Sequence, residues 1–117
     1  MRAGRCLRGA VLLAAWLLGP ALAWAQSQRV EVPGPVALVG HWFPVASAEP
    51  RPAVLALHGC NGPYDSRGRL NELQRRYAAE LNAARMHVLV LDSFSPRGVR
   101  SICELHPNHR PVTLQDR

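Results

Sequence analysis

The segment between Ala53 and Asp92 constrains the fold more than any other part of the sequence. It begins with Ala53–Leu57, an apolar run that is typical of a strand buried on both faces of a parallel sheet. Apolar residues then recur at steps of three and four from about Ser66 to Ala84, as in an amphipathic helix. The apolar run Met86–Leu91 predicts a second buried strand, which ends at Asp92. Strand, helix and strand in this order predict a βαβ unit and therefore an α/β fold.

Both ends of the predicted helix carry further expectations. Asp65 or Ser66 is expected to cap its start, because short polar side chains accept hydrogen bonds from the free N–H groups there. Arg85 follows its end, where the chain turns back into a strand and glycine is the usual residue. We therefore expect Arg85 to adopt a mildly strained left-handed backbone. The apolar stripe of the helix is predicted to consist of Leu70, Leu73, Tyr77, Leu81 and Ala84.

Two weaker strands precede this unit. Val30 and Val32 alternate with charged residues, and Val36–Phe43 is a longer, mostly apolar run. The Pro-Gly-Pro sequence at 33–35 predicts a turn between them, so these strands are expected to form an antiparallel hairpin at one edge of the sheet. Beyond Ser93 the chain is rich in Pro, Gly and Ser, which predicts a loop up to Pro111, and a further helix is expected to begin near Val112.

The first 25 residues have the pattern of a secretory signal peptide. Arginines at positions 2, 5 and 8 precede an apolar run over 10–22, and small residues suit cleavage after Ala23 or Ala25. The apolar run is short for a membrane span, which needs about 20 residues, although an uncleaved anchor is the alternative. We therefore predict an exported chain, periplasmic or secreted, with residues 26–117 as its domain and no membrane attachment after cleavage.

The charge of the chain is basic, but it does not predict a nucleic-acid partner. Removing three of the 14 basic residues with the signal leaves 11 arginines against 8 acidic residues, and there is no lysine. Nucleic-acid binding favours a clustered basic face. Here the arginines at 67, 69, 75, 76 and 85 are expected on a solvated helix surface.

Cys60 and Cys103 are the two cysteines that follow the predicted signal, and an even pair in an exported chain suggests a disulfide. The loops that follow two neighbouring parallel strands leave the same edge of the sheet. Cys60 opens one of these loops and Cys103 lies in the other, so we predict that they are bonded. The long closed loop would give such a bond a stabilising effect of about 3–4 kcal/mol.

Other roles for these polar residues remain open at this point. Cys60 could act as a nucleophile with His58 as its base, since residues two apart in a turn can approach each other. Cys103, His106 and His109 are spaced three apart and could bind a metal with His58 or Cys60. We nevertheless predict no metal and no cofactor. His41 and His87 are expected to be packing or surface residues, and capping of the next turn is expected for Asp92.

Three segments together resemble the amino-terminal third of exported dienelactone-hydrolase-family proteins, members of the α/β-hydrolase superfamily. They read PAVLALHGCNG, LNAARMHVLVLDSF and SPRGVRSIC, and the similarity covers roughly residues 36–117. The resemblance implies a mostly parallel eight-stranded sheet and hydrolysis of a small-molecule ester or lactone by a Cys or Ser nucleophile with His and Asp. The expected fold class is therefore the amino-terminal part of an α/β-hydrolase fold, an edge hairpin followed by a βαβ unit, with the sheet incomplete.

The resemblance also assigns roles within the turn that follows Leu57. The backbone N–H of Cys60 would donate to the oxyanion, with Asn61 flanking it. His58 belongs to the same turn, and Gly59 and Gly62 are expected to let the backbone bend tightly and approach a substrate. Separately, Arg97 and Arg100 are candidates for holding a substrate carboxylate, with a solvated loop as the alternative.

One element of the family pattern is missing from these 117 residues. No Ser or Cys has glycines on both sides at a distance of two, so there is no nucleophile elbow of the G-x-[CS]-x-G type. The catalytic acid and His come later still in the family. The chain is therefore expected to be a leading portion that is inactive and marginally stable by itself. The alternative is a short, non-catalytic exported protein that binds a ligand or partner with the same turn.

Overall fold

The computed structural model describes residues 26–116, and the predicted signal peptide lies outside the described residues. The strands are β1 (Gln28–Val32), β2 (Leu38–Phe43), β3 (Ala53–Leu57) and β4 (His87–Asp92), and one α-helix, α1, spans Glu72–Ala83. Single 3₁₀ turns follow at Ser95–Arg97, Pro107–His109 and Leu114–Asp116. The last of these occupies the region where the sequence predicted the start of a further α-helix.

The strands form one mixed sheet in the order β1-β2-β4-β3. β1 pairs antiparallel with β2, β2 pairs antiparallel with β4, and β3 pairs parallel with β4. The predicted hairpin and the predicted βαβ unit are therefore both present, and the fold is α/β. Within the described residues, β3 has only one strand neighbour and forms an edge of the sheet.

Helix α1 covers one face of this sheet and makes the main core with it. That core contains five buried apolar side chains: Phe43, Leu70, Ala78, Val88 and Val90. A second, smaller core lies under the loop after β4 and contains Phe94, Ile102 and Val112. The second core fixes the loop that carries Cys103, which is why this Pro- and Gly-rich segment has a defined path.

The predicted start of the helix is wrong by about six residues. The carboxylate of Asp65 accepts hydrogen bonds from the N–H groups of Arg67 and Arg69, and so closes a small loop rather than starting a helix. Gly68 lies inside that loop with φ +73°, a conformation that a helix cannot contain. Asn71 is the true cap, and its side chain accepts from the Gln74 N–H at 3.0 Å.

The predicted apolar stripe of the helix is also partly wrong. Gln74 and Ala78 are the buried residues of α1, whereas Leu73 and Tyr77 are 49% and 47% exposed. The helix therefore turns the face of Gln74 and Ala78 towards the sheet, and Leu70 packs into the same core from the loop before α1.

β3 is not buried on both faces as its composition predicted. Val54 and Ala56 point to the side of α1 and are half-buried, while Leu55 and Leu57 are 57% and 52% exposed on the other side. Only one face of this strand is covered in the described residues. β4 comes closer to the expectation, since Val88 and Val90 are fully buried on one face and Leu91 is 7% exposed on the other.

Two local predictions are confirmed. Arg85 has φ +64° and is the single non-glycine residue with positive φ in the described part of the chain. Asp92 caps the turn after β4, with Oδ1 accepting from the N–H groups of Phe94 and Ser95 at 3.0 Å each. None of the helices formed by residues 26–116 has the length and apolar character needed to cross a membrane.

Candidate functional site

The turn after β3 lies at the carboxyl edge of the sheet, where open α/β sheets bind ligands. Residues 59–62 form a β-turn in which the Gly62 N–H donates to the Gly59 carbonyl at 3.1 Å. Cys60 and Asn61 occupy its two central positions and are exposed. The neighbouring parallel strand β4 ends at the same edge, so the loop from Ser93 to Cys103 runs beside the turn.

Three interactions fasten the turn to that loop. Cys60 and Cys103 form a disulfide with their Cα atoms 4.9 Å apart, which confirms the predicted bond. The Ile102 N–H donates to the Cys60 carbonyl at 2.9 Å, and Ile102 itself is buried in the second core. The Cys60 residue is therefore held through its sulfur and through its carbonyl oxygen, on both sides of its Cα atom.

Gly62 is required by the third contact, and Gly59 is not. Gly62 has φ +74°, and a Cβ atom built on it would lie 2.7 Å from the Arg100 carbonyl oxygen, a backbone atom that cannot move aside easily. A Cβ atom built on Gly59 would meet no atom within 4 Å. Gly62 thus allows the turn and the loop to touch, whereas the space above Gly59 is open.

His58 anchors the turn from below. Its side chain is 4% exposed, and Nδ1 lies 2.8 Å from the Gly59 carbonyl oxygen. A carbonyl can only accept, so Nδ1 carries the hydrogen. Nε2 in turn accepts from the backbone N–H and the hydroxyl of Ser93, at 3.3 and 3.1 Å. His58 therefore joins the ends of β3 and β4, and the Phe94 ring packs edge-on against it at 4.4 Å.

The backbone N–H of Cys60 is, with those of Gly59 and Asn61, one of the donors that these contacts leave available. No described residue accepts a hydrogen bond from it, while the carbonyl oxygens of Gly59 and Cys60 are both engaged. The side chain of Asn61 contacts the disulfide, with its Oδ1 2.8 Å from the Cys103 sulfur. The disulfide and the hydrogen bonds of the neighbouring carbonyl groups therefore fix the direction of the Cys60 N–H.

A second polar group lies under the loop that follows the turn. The Tyr64 hydroxyl lies 2.8 Å from His41 Nε2, and the two rings meet edge to face. Asp92 is completely buried nearby, and its Oδ2 accepts no hydrogen bond from the described residues. Burial, followed by the charge of this carboxylate, raises the pKa of Tyr64 to about 12. Burial and the charge of Arg29 lower the pKa of His41.

The two arginines predicted to hold a carboxylate differ in position. Arg100 lines a cleft of about 720 Å³ beside the turn, together with Cys60, Asn61 and Leu73. Its guanidinium lies 3.4 Å from the Ser66 carbonyl oxygen and is exposed. Arg97 instead donates to the Ser93 carbonyl at 2.6 Å and does not line that cleft. Arg100 is thus the arginine that the fold brings to the turn.

Two of the alternatives left open by the sequence are decided by the disulfide. Cys60 is not a free thiol and so cannot be a nucleophile, and His58 Nε2 faces Ser93 rather than the sulfur. Cys103 is bonded as well, which removes it from the alternative metal set. Among residues 26–116, no three His, Cys, Asp or Glu side chains are grouped closely enough to hold a metal ion.

Some residues of this region were not found from the sequence. Ser93 received no role, although it fixes the tautomer of His58, and Tyr64 was not connected with His41. Both pairs join residues that are far apart in the chain, 35 and 23 positions respectively. A signal did exist for Ser93, because it follows the same strand end that places Asp92 at the edge of the sheet.

Comparison with known proteins adds no family to this description, because no protein-family model, curated protein or solved structure matches the chain. The described residues define a small mixed α/β fold with a disulfide-fastened turn at the carboxyl edge of its parallel strands.

Proposed function

We propose that residues 58–62 are the oxyanion-binding turn of a dienelactone-hydrolase-like α/β hydrolase that acts on a small-molecule ester or lactone. The observation that carries this proposal is the state of Cys60: its carbonyl and sulfur are both bonded, and its N–H is not. In this assignment the Cys60 N–H donates to the negative oxygen of a tetrahedral intermediate, and Asn61 flanks it.

A fixed backbone donor of this kind is valuable because it needs no rearrangement when charge develops. Removing one oxyanion donor typically lowers kcat by a factor of about 10²–10³. The disulfide, the Ile102 bond and the buried His58 all hold the donor in place before substrate arrives. Arg100 at the rim of the adjacent cleft suits a substrate that carries a carboxylate near its scissile bond.

The turn supplies an oxyanion donor but no nucleophile, because the 117 residues contain no nucleophile elbow. We therefore expect the purified chain to hydrolyse p-nitrophenyl acetate no faster than a Cys60→Ala variant. An exported location, periplasmic or secreted, belongs to the same proposal, and the disulfide is compatible with it. A G-x-[CS]-x-G element in the DNA that follows codon 117, in any frame, would support the family assignment.

The donor itself can be tested in a chimera. Residues 36–117 would replace the corresponding segment of an active dienelactone hydrolase, which supplies its own nucleophile, acid and His. Cys60→Pro removes the N–H but suits this position of a β-turn, where proline is favoured. Cys60→Ser keeps the N–H and loses the disulfide equally, so it is the matched control.

We expect kcat of the Cys60→Pro chimera to fall about 10²–10³-fold below that of the Cys60→Ser chimera, with little change in KM. Circular dichroism spectra of the two variants should agree. Equal kcat values for two folded variants would contradict the role of the Cys60 N–H in oxyanion binding.

A further inference from the structure

A second cleft, of about 700 Å³, opens on the face of the sheet that α1 covers. It is bounded by β1, β2 and the end of β4, by the loop that carries Tyr64, and by the first turn of α1. None of its described lining residues belongs to β3, so strands added beside β3 would leave it unchanged. The turn at 58–62 does not line it either, and the proposed hydrolase function makes no use of it.

Burial increases from the mouth of this cleft to its inner end. Asp92 is completely buried at the inner end, and its Oδ2 accepts no hydrogen bond from any described residue. His41 and Tyr64 are half-buried and line the cleft as well, with the phenol oxygen 2.8 Å from Nε2. Arg29 and Arg75 also line it and are exposed. The cleft therefore has a polar interior and two cationic side chains at its mouth.

The two arginines at the mouth have no anionic partner in the described part of the chain. Neither Arg29 on β1 nor Arg75 on α1 forms an ion pair there. Arg69 lines the cleft too, but its guanidinium is bound to the Asp65 carboxylate at 3.0 and 3.1 Å. Guanidinium groups bind carboxylates through strong, charge-assisted hydrogen bonds, so the mouth suits an anionic group. The charge of Arg29 also acts on the interior, since it lowers the pKa of His41 in addition to the larger effect of burial.

The interior favours a hydrogen-bond donor over a second negative charge. Burial lowers the pKa of His41 and raises the pKa of Tyr64 to about 12, so both side chains are neutral at neutral pH. Whichever of the two donates in their shared hydrogen bond, the phenol oxygen keeps a lone pair that can accept from a ligand. The carboxylate of Asp92 lies at the same end of the cleft and would repel a second carboxylate there.

We propose that this cleft binds a small hydroxycarboxylate, with its carboxylate between Arg29 and Arg75 and its hydroxyl donating to the Tyr64 oxygen. The volume of the cleft lies in the range of small-molecule sites. The inference is independent of the proposed hydrolase function, because it uses neither Cys60 nor the rest of its turn. A single carboxylate with a distant hydroxyl matches both ends of the cleft, whereas an alkyl carboxylate matches only the mouth and a dicarboxylate meets the charge of Asp92.

The first test compares three probes that share one carboxylate and differ at the other end: γ-hydroxybutyrate, butyrate and succinate. The chain is expressed from its full sequence with export to a bacterial periplasm, and amide NMR spectra are recorded during each titration. We expect γ-hydroxybutyrate to bind about fivefold more tightly than butyrate, because of its hydroxyl, and more tightly than succinate. The largest shifts should fall in β1, β2 and the loop at 64–70. No saturable shift up to about 20 mM, or tighter binding of succinate or butyrate, would overturn the proposal.

The second test changes the side chains of the cleft one at a time. Arg29→Gln and Arg75→Gln should each weaken γ-hydroxybutyrate binding about tenfold, and both side chains are exposed, so folding should be unaffected. Arg76→Gln is the matched control, since this neighbouring arginine pairs with Glu80 and does not line the cleft. Tyr64→Phe should abolish the preference for γ-hydroxybutyrate over butyrate. Unchanged binding in Arg29→Gln or Arg75→Gln, an equal loss in Arg76→Gln, or a preference that survives Tyr64→Phe would overturn the proposal.

Discussion

The strand β3 and the turn that follows it are adjacent in sequence, and the structure treats them in opposite ways. Residues 58–62 are held by a disulfide, a bond from Ile102, a close backbone contact at Gly62 and a buried His58. Residues 53–57 pair on one edge only and expose Leu55 and Leu57. The central residues of the turn, Cys60 and Asn61, are held in place although they are exposed, whereas β3 is regular although one of its faces is uncovered.

The difference teaches that fixing a backbone and burying it are separate tasks. Cys60 and Asn61 are exposed, so burial of their own side chains cannot hold them. Covalent and polar links to the loop after β4 hold them instead, and this leaves the turn accessible to a small molecule. In β3 the backbone is ordered by pairing with one neighbouring strand, but the apolar side chains of Leu55 and Leu57 still face water.

The largest expected effect on the turn is loss of its disulfide. The Cys60→Ser/Cys103→Ser variant should lose about 4 kcal/mol of unfolding free energy, because the bond joins residues 43 positions apart in the chain. Urea unfolding followed by circular dichroism measures this change. Wild-type chain in the presence of reductant should show the same loss. A loss below about 1 kcal/mol would mean that the loop contacts hold the turn without the bond.

The next effect separates the two glycines of the turn. Gly62→Ala should destabilise the fold by about 3 kcal/mol, since the new Cβ atom meets a backbone oxygen in a left-handed conformation. Gly59→Ala should change stability by less than about 1 kcal/mol, because the space around it is open. Denaturant midpoints of the two variants make the comparison. Equal losses would show that the close approach at Gly62 does not matter.

A smaller effect should separate β3 from β4. Val90→Ala, in the buried centre of the sheet, should cost about 2 kcal/mol. Leu55→Ala removes more atoms, yet it should cost less than about 1 kcal/mol, since Leu55 is mostly exposed. Urea unfolding of the two variants, followed by circular dichroism, measures both costs. Equal costs would contradict the difference in burial between β3 and β4.

The smallest effect concerns the loop that continues from the turn. The chain has two tyrosines, so in Tyr77→Phe the absorbance at alkaline pH reports on Tyr64 alone. Its pKa should be about 12 in the folded chain, against a usual value of 10.0, chiefly because the hydroxyl is partly buried. Since the folded state keeps the proton longer, this contribution to stability is complete below pH 10 and is lost as the pH rises towards 12. Titration near 10 in the folded chain would contradict the environment described for Tyr64.

Much of the fold could be predicted, because local patterns specify it. The apolar runs and the helical spacing predict the βαβ unit, and the Pro-Gly-Pro turn predicts the hairpin. The start of α1 could not be placed, because Asp65 and Asn71 are both good caps and only the contacts of Asp65 with Arg67 and Arg69 distinguish them. Those contacts lie within a loop, and a loop has no hydrophobic period from which its contacts could be predicted.

In the candidate site, the disulfide was predicted from the sequence, whereas the hydrogen bonds between side chains were missed. The disulfide follows from two cysteines in loops that leave the same edge of the sheet, and it is present. The bonds of His58 with Ser93 and of His41 with Tyr64 were missed, since each joins side chains from distant elements. Their geometry depends on the twist and spacing of the sheet, which residue types alone do not encode.

The sequence by itself determined that the chain contains a βαβ unit, a hairpin and a Gly-containing turn beside a cysteine, because hydrophobic period and turn chemistry are local properties. Only the tertiary structure decided what each surface meets. The same apolar composition is buried in β4, between β2 and β3 and beneath α1, and exposed in β3 at the edge. Burial depends on how many neighbours a strand has, and that number is a property of the assembled sheet.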